Sequence, residues 1–272
     1  MDSSEKPEQM AQKMFDLSGQ VAIVTGSSRG LGYYMARALA GAGADLVVTS
    51  RTLASLGETV KAIEAIGRKA LPVELDVRNE ESIQAMVATA EDHYGKIDIL
   101  VNNAGGNIRK ASVDVSWQDW DTVVDTNLKG EFFVATEVAK RMLPRGYGRI
   151  INIGSATTVF AFGGIVPYSA SRGGVRQMTM GLADEWGKEG ITVNCLSPGW
   201  FRTQQTEVLY SNEEWLSYIT DRIPAARPGQ PTDLDSAVVF LAAKESSYVN
   251  GHNLVVDGGF TTGSTKARVS KE

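Results

Sequence analysis

Residues 21–32 read Val21-Ala22-Ile23-Val24-Thr25-Gly26-Ser27-Ser28-Arg29-Gly30-Leu31-Gly32. A short apolar, β-branched run has the character of a strand and breaks at a glycine-rich turn. From there Leu31, Met35, Ala38, Leu39 and Ala42 recur at i, i+4, i+7, i+8 and i+11, a helical stripe. The order strand, glycine loop, helix opens an α/β unit. The glycines stand at spacings of four and two, which is not the G-x-G-x-x-G of the commonest dinucleotide fingerprint. The physics carries over all the same. Glycine lets the backbone turn sharply and approach a pyrophosphate, and a helix N-terminus favours the negative charge. Gly26, Ser28, Arg29, Gly30, Leu31 and Gly32 are therefore candidates to hold a dinucleotide, with a plain glycine-rich turn as the alternative.

The scheme repeats along the chain. Apolar runs at 46–49, 71–75, 97–101, 149–153, 192–196 and 253–256 alternate with helical patterns at 53–66, 80–94, 117–142 and 166–188. The runs are continuously apolar rather than alternating, as strands covered on both faces should be. Right-handed crossovers then predict a single doubly wound, Rossmann-type domain with a seven-stranded parallel sheet over residues 17–262. A polar arm over 1–16 and a Ser-, Thr-, Lys- and Arg-rich tail over 263–272 are expected to be mobile. Ligands of such sheets bind beyond the carboxyl ends of the strands.

Composition narrows the function. The 272 residues carry 27 Lys plus Arg against 32 Asp plus Glu, a net charge of −5, which argues against a nucleic-acid partner. One cysteine, Cys195, allows no internal disulfide and fits the reducing cytoplasm. His93 and His252 lie far apart in sequence, so no metal site is expected. No apolar run approaches the roughly 20 residues of a membrane span, and the charged N-terminus lacks the apolar core of a secretory signal.

The second strand ends Thr49-Ser50-Arg51, where an NAD-binding chain usually places an acid for the ribose 2′-hydroxyl. A cation there suits a 2′-phosphate, so Ser50, Arg51 and Arg29 favour NADP, with NAD possible. The alternative is that Arg51 merely faces water.

Asn102-Asn103-Ala104-Gly105 follows the fourth strand, and Ser155 follows the fifth. Tyr168 comes thirteen residues later, and Pro198-Gly199 follows the sixth. This ordered set closely resembles the short-chain dehydrogenase/reductase family from about Leu17 to Gly259. The resemblance implies that Tyr168 is the acid/base at a substrate oxygen and that Ser155 hydrogen-bonds the same atom. It implies that Asn127 holds a water of a proton relay. It further implies that Asn103, Ala104 and Gly105 line the cofactor, that Asp76 and Val77 meet the adenine, and that Pro198, Gly199 and Thr203 border the nicotinamide. A homotetramer is also implied, joined through the helices over 117–142 and 166–188 and the last strand.

One position departs from the family. Lysine belongs four residues after the tyrosine, and this chain has Tyr168-Ser169-Ala170-Ser171-Arg172. A phenol has a pKa of about 10 and is a poor base at neutral pH, so a fixed cation on the same helical face is useful. Arginine keeps that charge and can contact Tyr168 and a cofactor ribose, but it cannot release a proton near neutral pH. Turnover is expected, and lysine at 172 is expected to hold or raise the rate. A silent NADP-binding protein is the alternative.

For the substrate, Arg109 in Gly106-Asn107-Ile108-Arg109-Lys110 stands just beyond the fourth strand, where it can hold a carboxylate. Trp200, Phe201, Tyr210, Trp215 and Tyr218 form either a lid over the site or a small core of their own. With Asp221-Arg222-Ile223-Pro224 and Val249-Asn250-Gly251-His252, the Arg109 segment is similar to gluconate 5-dehydrogenases and 2-dehydro-3-deoxy-gluconate 5-dehydrogenases. The expectation is a secondary alcohol or ketone of a polyol or sugar acid, contacted by Ser155, Tyr168, Arg109 and Trp200. A 3-oxoacyl thioester is the competing substrate.

Overall fold

The computed structural model describes residues 14–203 and 206–263. The expected arm up to residue 13 and the expected tail from residue 264 lie outside the described residues. Among those described, seven strands form one sheet: β1 (Val21–Val24), β2 (Asp45–Ser50), β3 (Ala70–Glu74), β4 (Ile99–Asn102), β5 (Gly148–Ile153), β6 (Ile191–Pro198) and β7 (Asn253–Val256). Their order is β3-β2-β1-β4-β5-β6-β7, and every pairing is parallel.

Strand periodicity explains why the runs are apolar throughout. Ala22 and Val24 face one layer with α1 (Gly30–Gly41), where Met35 and Leu39 meet them. The helix α2 (Gly57–Glu64) precedes β3, and Val21 and Ile23 face the other layer, in one core with Met86 and Val87 of α3 (Glu80–Tyr94). Both faces are dry, so neither can carry polar alternation. Cys195 is buried in β6, and burial pushes its thiol up to about 11.

The helix expected over 117–142 is not continuous. It runs as α4 (Trp117–Val124), a π-helical turn (Asp125–Lys129) and α5 (Gly130–Met142). The Gly130 N–H donates to the Asp125 carbonyl five residues back, so the turn holds one extra residue. Gly130 is needed here because a Cβ would meet the Val77 carbonyl oxygen at 2.7 Å. The next long helix is α6 (Val166–Trp186), with Pro167 in its first turn.

The order of strands reverses between β1 and β4. Connections from those two strands leave in opposite directions and open a crevice at their carboxyl ends.

Candidate active site

A cleft of about 620 Å³ lies over the carboxyl ends of β1, β4, β5 and β6. The candidate cofactor, catalytic and substrate residues line it except Asn127, and of the five candidate lid aromatics Trp200, Phe201 and Tyr210 line it while Trp215 and Tyr218 do not.

The glycine loop is pinned from two sides. Ser27 is buried, receives a 2.9 Å hydrogen bond from the Thr49 N–H, and gives its own N–H to the Thr49 carbonyl at 2.9 Å. The Thr25 hydroxyl accepts from the Asn103 and Ala104 N–H groups, each at 2.9 Å. The Asn103 amide donates to the carbonyls of Thr25 and Gly26 at 2.9 and 3.0 Å. Asn103 thus lines the cleft, yet its side-chain N–H groups are occupied in stitching the loop to β4.

Gly30 adopts φ +59°, a left-handed conformation that favours glycine, and a Cβ there would enter open space. The α1 N-terminus that follows has Arg29 as its cap residue, without a side-chain cap bond, and no acid in its first turn. Its free N–H groups and dipole suit a diphosphate. The residues present therefore fit a dinucleotide.

Three arginines, Arg29, Arg51 and Arg78, line the adenosine end expected for that ligand. Arg78 had not been singled out from the sequence. It donates to both Asp76 carboxylate oxygens, at 3.2 and 3.0 Å. These hydrogen bonds hold Asp76 below the usual carboxylate range, against the opposing effect of burial, and Arg51 adds to the lowering.

At the other end stand Ser155 and Tyr168. Ser155 is extended at φ −166° and its hydroxyl accepts the Thr157 N–H at 3.2 Å. A buried set of polar groups supports this corner: the Thr158 hydroxyl donates to the Ser155 carbonyl at 2.8 Å and accepts from the Asn253 amide at 2.9 Å. The Arg172 guanidinium carbon lies 5.3 Å from the Tyr168 ring centroid.

Arg172 is buried and forms an ion pair with Glu131, a residue the sequence had not marked. Burial opposes the guanidinium charge, but Glu131 and Tyr168 outweigh it and hold the group well above its ordinary value. Burial holds the Glu131 carboxyl above its ordinary value, and the lowering pull of Arg172 offsets this only in part. Arginine cannot shed its proton near neutrality and a lone buried guanidinium would be strongly penalised, so the carboxylate form of Glu131 is the one that stabilises Arg172.

Asn127 sits on the π-helical turn and is fully buried. Its amide bonds the Gly106 backbone and donates to the Ser171 hydroxyl at 3.2 Å. It stands behind the cleft.

The aromatics divide between the two expected arrangements. Tyr210 of α7 (Glu207–Tyr210), Ile219 and Ile223 form a small core with Phe260, against which Trp200, Trp215 and Leu216 pack. Trp200 and Tyr210 also line the cleft, with Phe160, Phe162 and Phe260. Trp200 contacts Phe162 and Trp215 edge-on at 5.4 and 5.3 Å. Tyr218, half exposed, stands outside. The Arg109 guanidinium carbon lies 5.7 Å from the Phe162 centroid, which places a cation against the aromatic wall.

Among the described residues, no group of three or more His, Cys, Asp or Glu is placed to hold a metal ion, and no helix is long and apolar enough to cross a membrane.

Comparison with known proteins agrees with this geometry. A family model described as enoyl-(acyl carrier protein) reductase matches residues 26–261. The gluconate 5-dehydrogenase of Gluconobacter oxydans (strain 621H) is 44% identical over 248 residues, covering 91% of this chain and 97% of that protein. The 2-dehydro-3-deoxy-D-gluconate 5-dehydrogenase of Escherichia coli (strain K12) is 42% identical over 253 residues, covering 92% and 99%. The crystal structure of a gluconate 5-dehydrogenase from Burkholderia cenocepacia J2315, in complex with NADP and tartrate, superposes with a TM-score of 0.90 at 38% identity, covering 93% of this chain and 99% of that one.

Proposed function

The chain belongs to the short-chain dehydrogenase/reductase family, and from that premise we propose an NADP-dependent oxidoreductase that interconverts a secondary alcohol and a ketone on a gluconate-like sugar acid. The observation that carries this reading is the meeting of Ser155, Tyr168 and the glycine loop on one cleft. When bound, the nicotinamide supplies or accepts the hydride. Tyr168 gives a proton to the ketone oxygen in reduction and takes it from the hydroxyl in oxidation. Ser155 donates a hydrogen bond to the same oxygen. Arg172 orients the cofactor ribose and favours phenolate at Tyr168. Arg109 pairs with the substrate carboxylate.

The cofactor assignment is supported by Arg29, Arg51 and Arg78 at one end of the cleft and by relatives solved with NADP. The names of the relatives support a sugar acid over a 3-oxoacyl thioester. The same reading takes residues 17–262 as one catalytic domain and places the enzyme in the cytoplasm as a homotetramer. Trp117, Phe132, Phe133 and Val166 support that assembly, since they leave apolar surface exposed on α4, α5 and α6.

The test is loss of NADPH absorbance with a panel of keto sugar acids, alongside 3-oxoacyl thioesters. Turnover on the sugar acids is expected. Turnover on thioesters alone, or on neither, overturns the assignment.

A further inference from the structure

The Arg172 guanidinium is committed on one side. Its Nη1 donates to Glu131 Oε1 and to the Ile153 carbonyl, the latter at 2.6 Å. Its Nη2 is turned toward Gly105, where an added Cβ would collide with it. Arg172 lines the cleft and Glu131 does not. Glu131 is 1% exposed, and its second carboxylate oxygen has no hydrogen-bond partner. Its backbone is held from below, since the Asn102 amide donates to the Glu131 carbonyl at 3.0 Å.

A carboxylate buried in the first turn of α5 has no packing rationale of its own. Its presence follows from the residue it faces. Arginine is longer than lysine and remains charged, so at position 172 it needs a group to take its far nitrogen and offset its desolvation. The other titratable groups around the pair are Tyr168 on α6 and the Cys195 thiol on β6.

We propose that Glu131 is a positioning residue for the reaction. Its carboxylate holds the inner edge of Arg172, aims the outer edge at Gly105 and the cleft, and offsets part of the positive charge beside Tyr168. This deepens the function proposed above and rests on it. Two consequences follow. The environment of Tyr168 is set by an ion pair and not by a lone cation. A lysine introduced alone at 172 would be drawn back to Glu131, which reverses the expectation that it holds or raises the rate.

The test compares the wild-type full chain with Glu131→Gln, Arg172→Lys and the double variant Arg172→Lys/Glu131→Leu. Sugar-acid oxidation is followed across pH, and NADPH affinity is measured by fluorescence. Removing the carboxylate leaves the Arg172 charge uncompensated and favours phenolate, so Glu131→Gln should move the rise of the oxidation profile about one unit toward lower pH. Arg172→Lys alone should lose about tenfold in rate, the scale of one charge-assisted hydrogen bond. The double variant should recover most of that loss, which a merely space-filling Glu131 would not permit. An unmoved profile in Glu131→Gln, or equal rates for the lysine variant with and without Glu131, overturns the proposal. Should Glu131→Gln fail to fold, the lysine pair decides. Should the wild type lack turnover, the functional assignment fails separately. NADPH affinity then decides: a drop in Glu131→Gln supports the positioning role, and unchanged affinity overturns it.

Discussion

Asn127 and Gly106 exchange two hydrogen bonds, the Gly106 N–H donating to Oδ1 and Nδ2 donating to the Gly106 carbonyl, each at 2.8 Å. The pair works like a rung of a ladder between the π-helical turn and the stretch that leads to Arg109. It gives Asn127 a structural task whether or not a water also visits it. Asn127→Ala leaves both backbone groups without their partner. Stability should fall by about 2 kcal/mol, read as a lower denaturant midpoint, and KM for the sugar acid should rise as the Arg109 segment loosens.

The arginines at the adenosine end should make NADPH bind more tightly than NADH. Arg51→Asp is expected to erase or reverse that preference in fluorescence titrations. Arg78→Ala should weaken NADPH more than NADH, because it removes a cation and leaves the Asp76 charge unmatched. Asp76 has a lowered pKa, so it stays ionised above the ordinary carboxylate range and gains its proton only as pH falls well below it. The preference should therefore hold throughout the neutral range.

Arg109→Ala should raise KM for a keto sugar acid by about tenfold or more, the worth of a charge-assisted contact. The kcat should change little, because Arg109 is assigned to binding. A ketone without a carboxylate should be indifferent to the change.

Phe133→Glu places a charge on the exposed apolar face of α5. Light scattering should show a homotetramer for the wild type at micromolar concentration and a smaller species for the variant. A monomeric wild type would count against the assembly.

The strands could be read from the sequence because both faces of the sheet are dry, which makes Val21 to Val24 apolar without interruption. The cleft followed from topology, since each motif after a strand had to meet the others at the carboxyl edge. The π-helical turn was hidden. One extra residue shifts the phase of a helical stripe by about 100°, but the mostly polar stretch Asp125–Lys129 offers no stripe in which to see the shift, so 117–142 looks like one helix. Glu131 was hidden for a different reason. It stands 41 residues from Arg172, and nothing local announces that a carboxylate in an apolar stretch is answering a distant charge. Arg78 sits only two residues past Asp76 and offered a nearby signal, an arginine beside an acid at the end of a strand. Trp200 lines the cleft and joins the small core, so neither of its two expected roles excluded the other.

The most direct measurement is NADPH-linked reduction of a keto sugar acid by Tyr168→Phe, with NADPH affinity determined on the same preparation. The change removes one hydroxyl and keeps the ring that lies beside Arg172. Proton transfer at a reacting oxygen contributes about 10²–10⁴-fold. A rate loss of at least that order is expected, with affinity nearly unchanged. Wild-type turnover in Tyr168→Phe would contradict it.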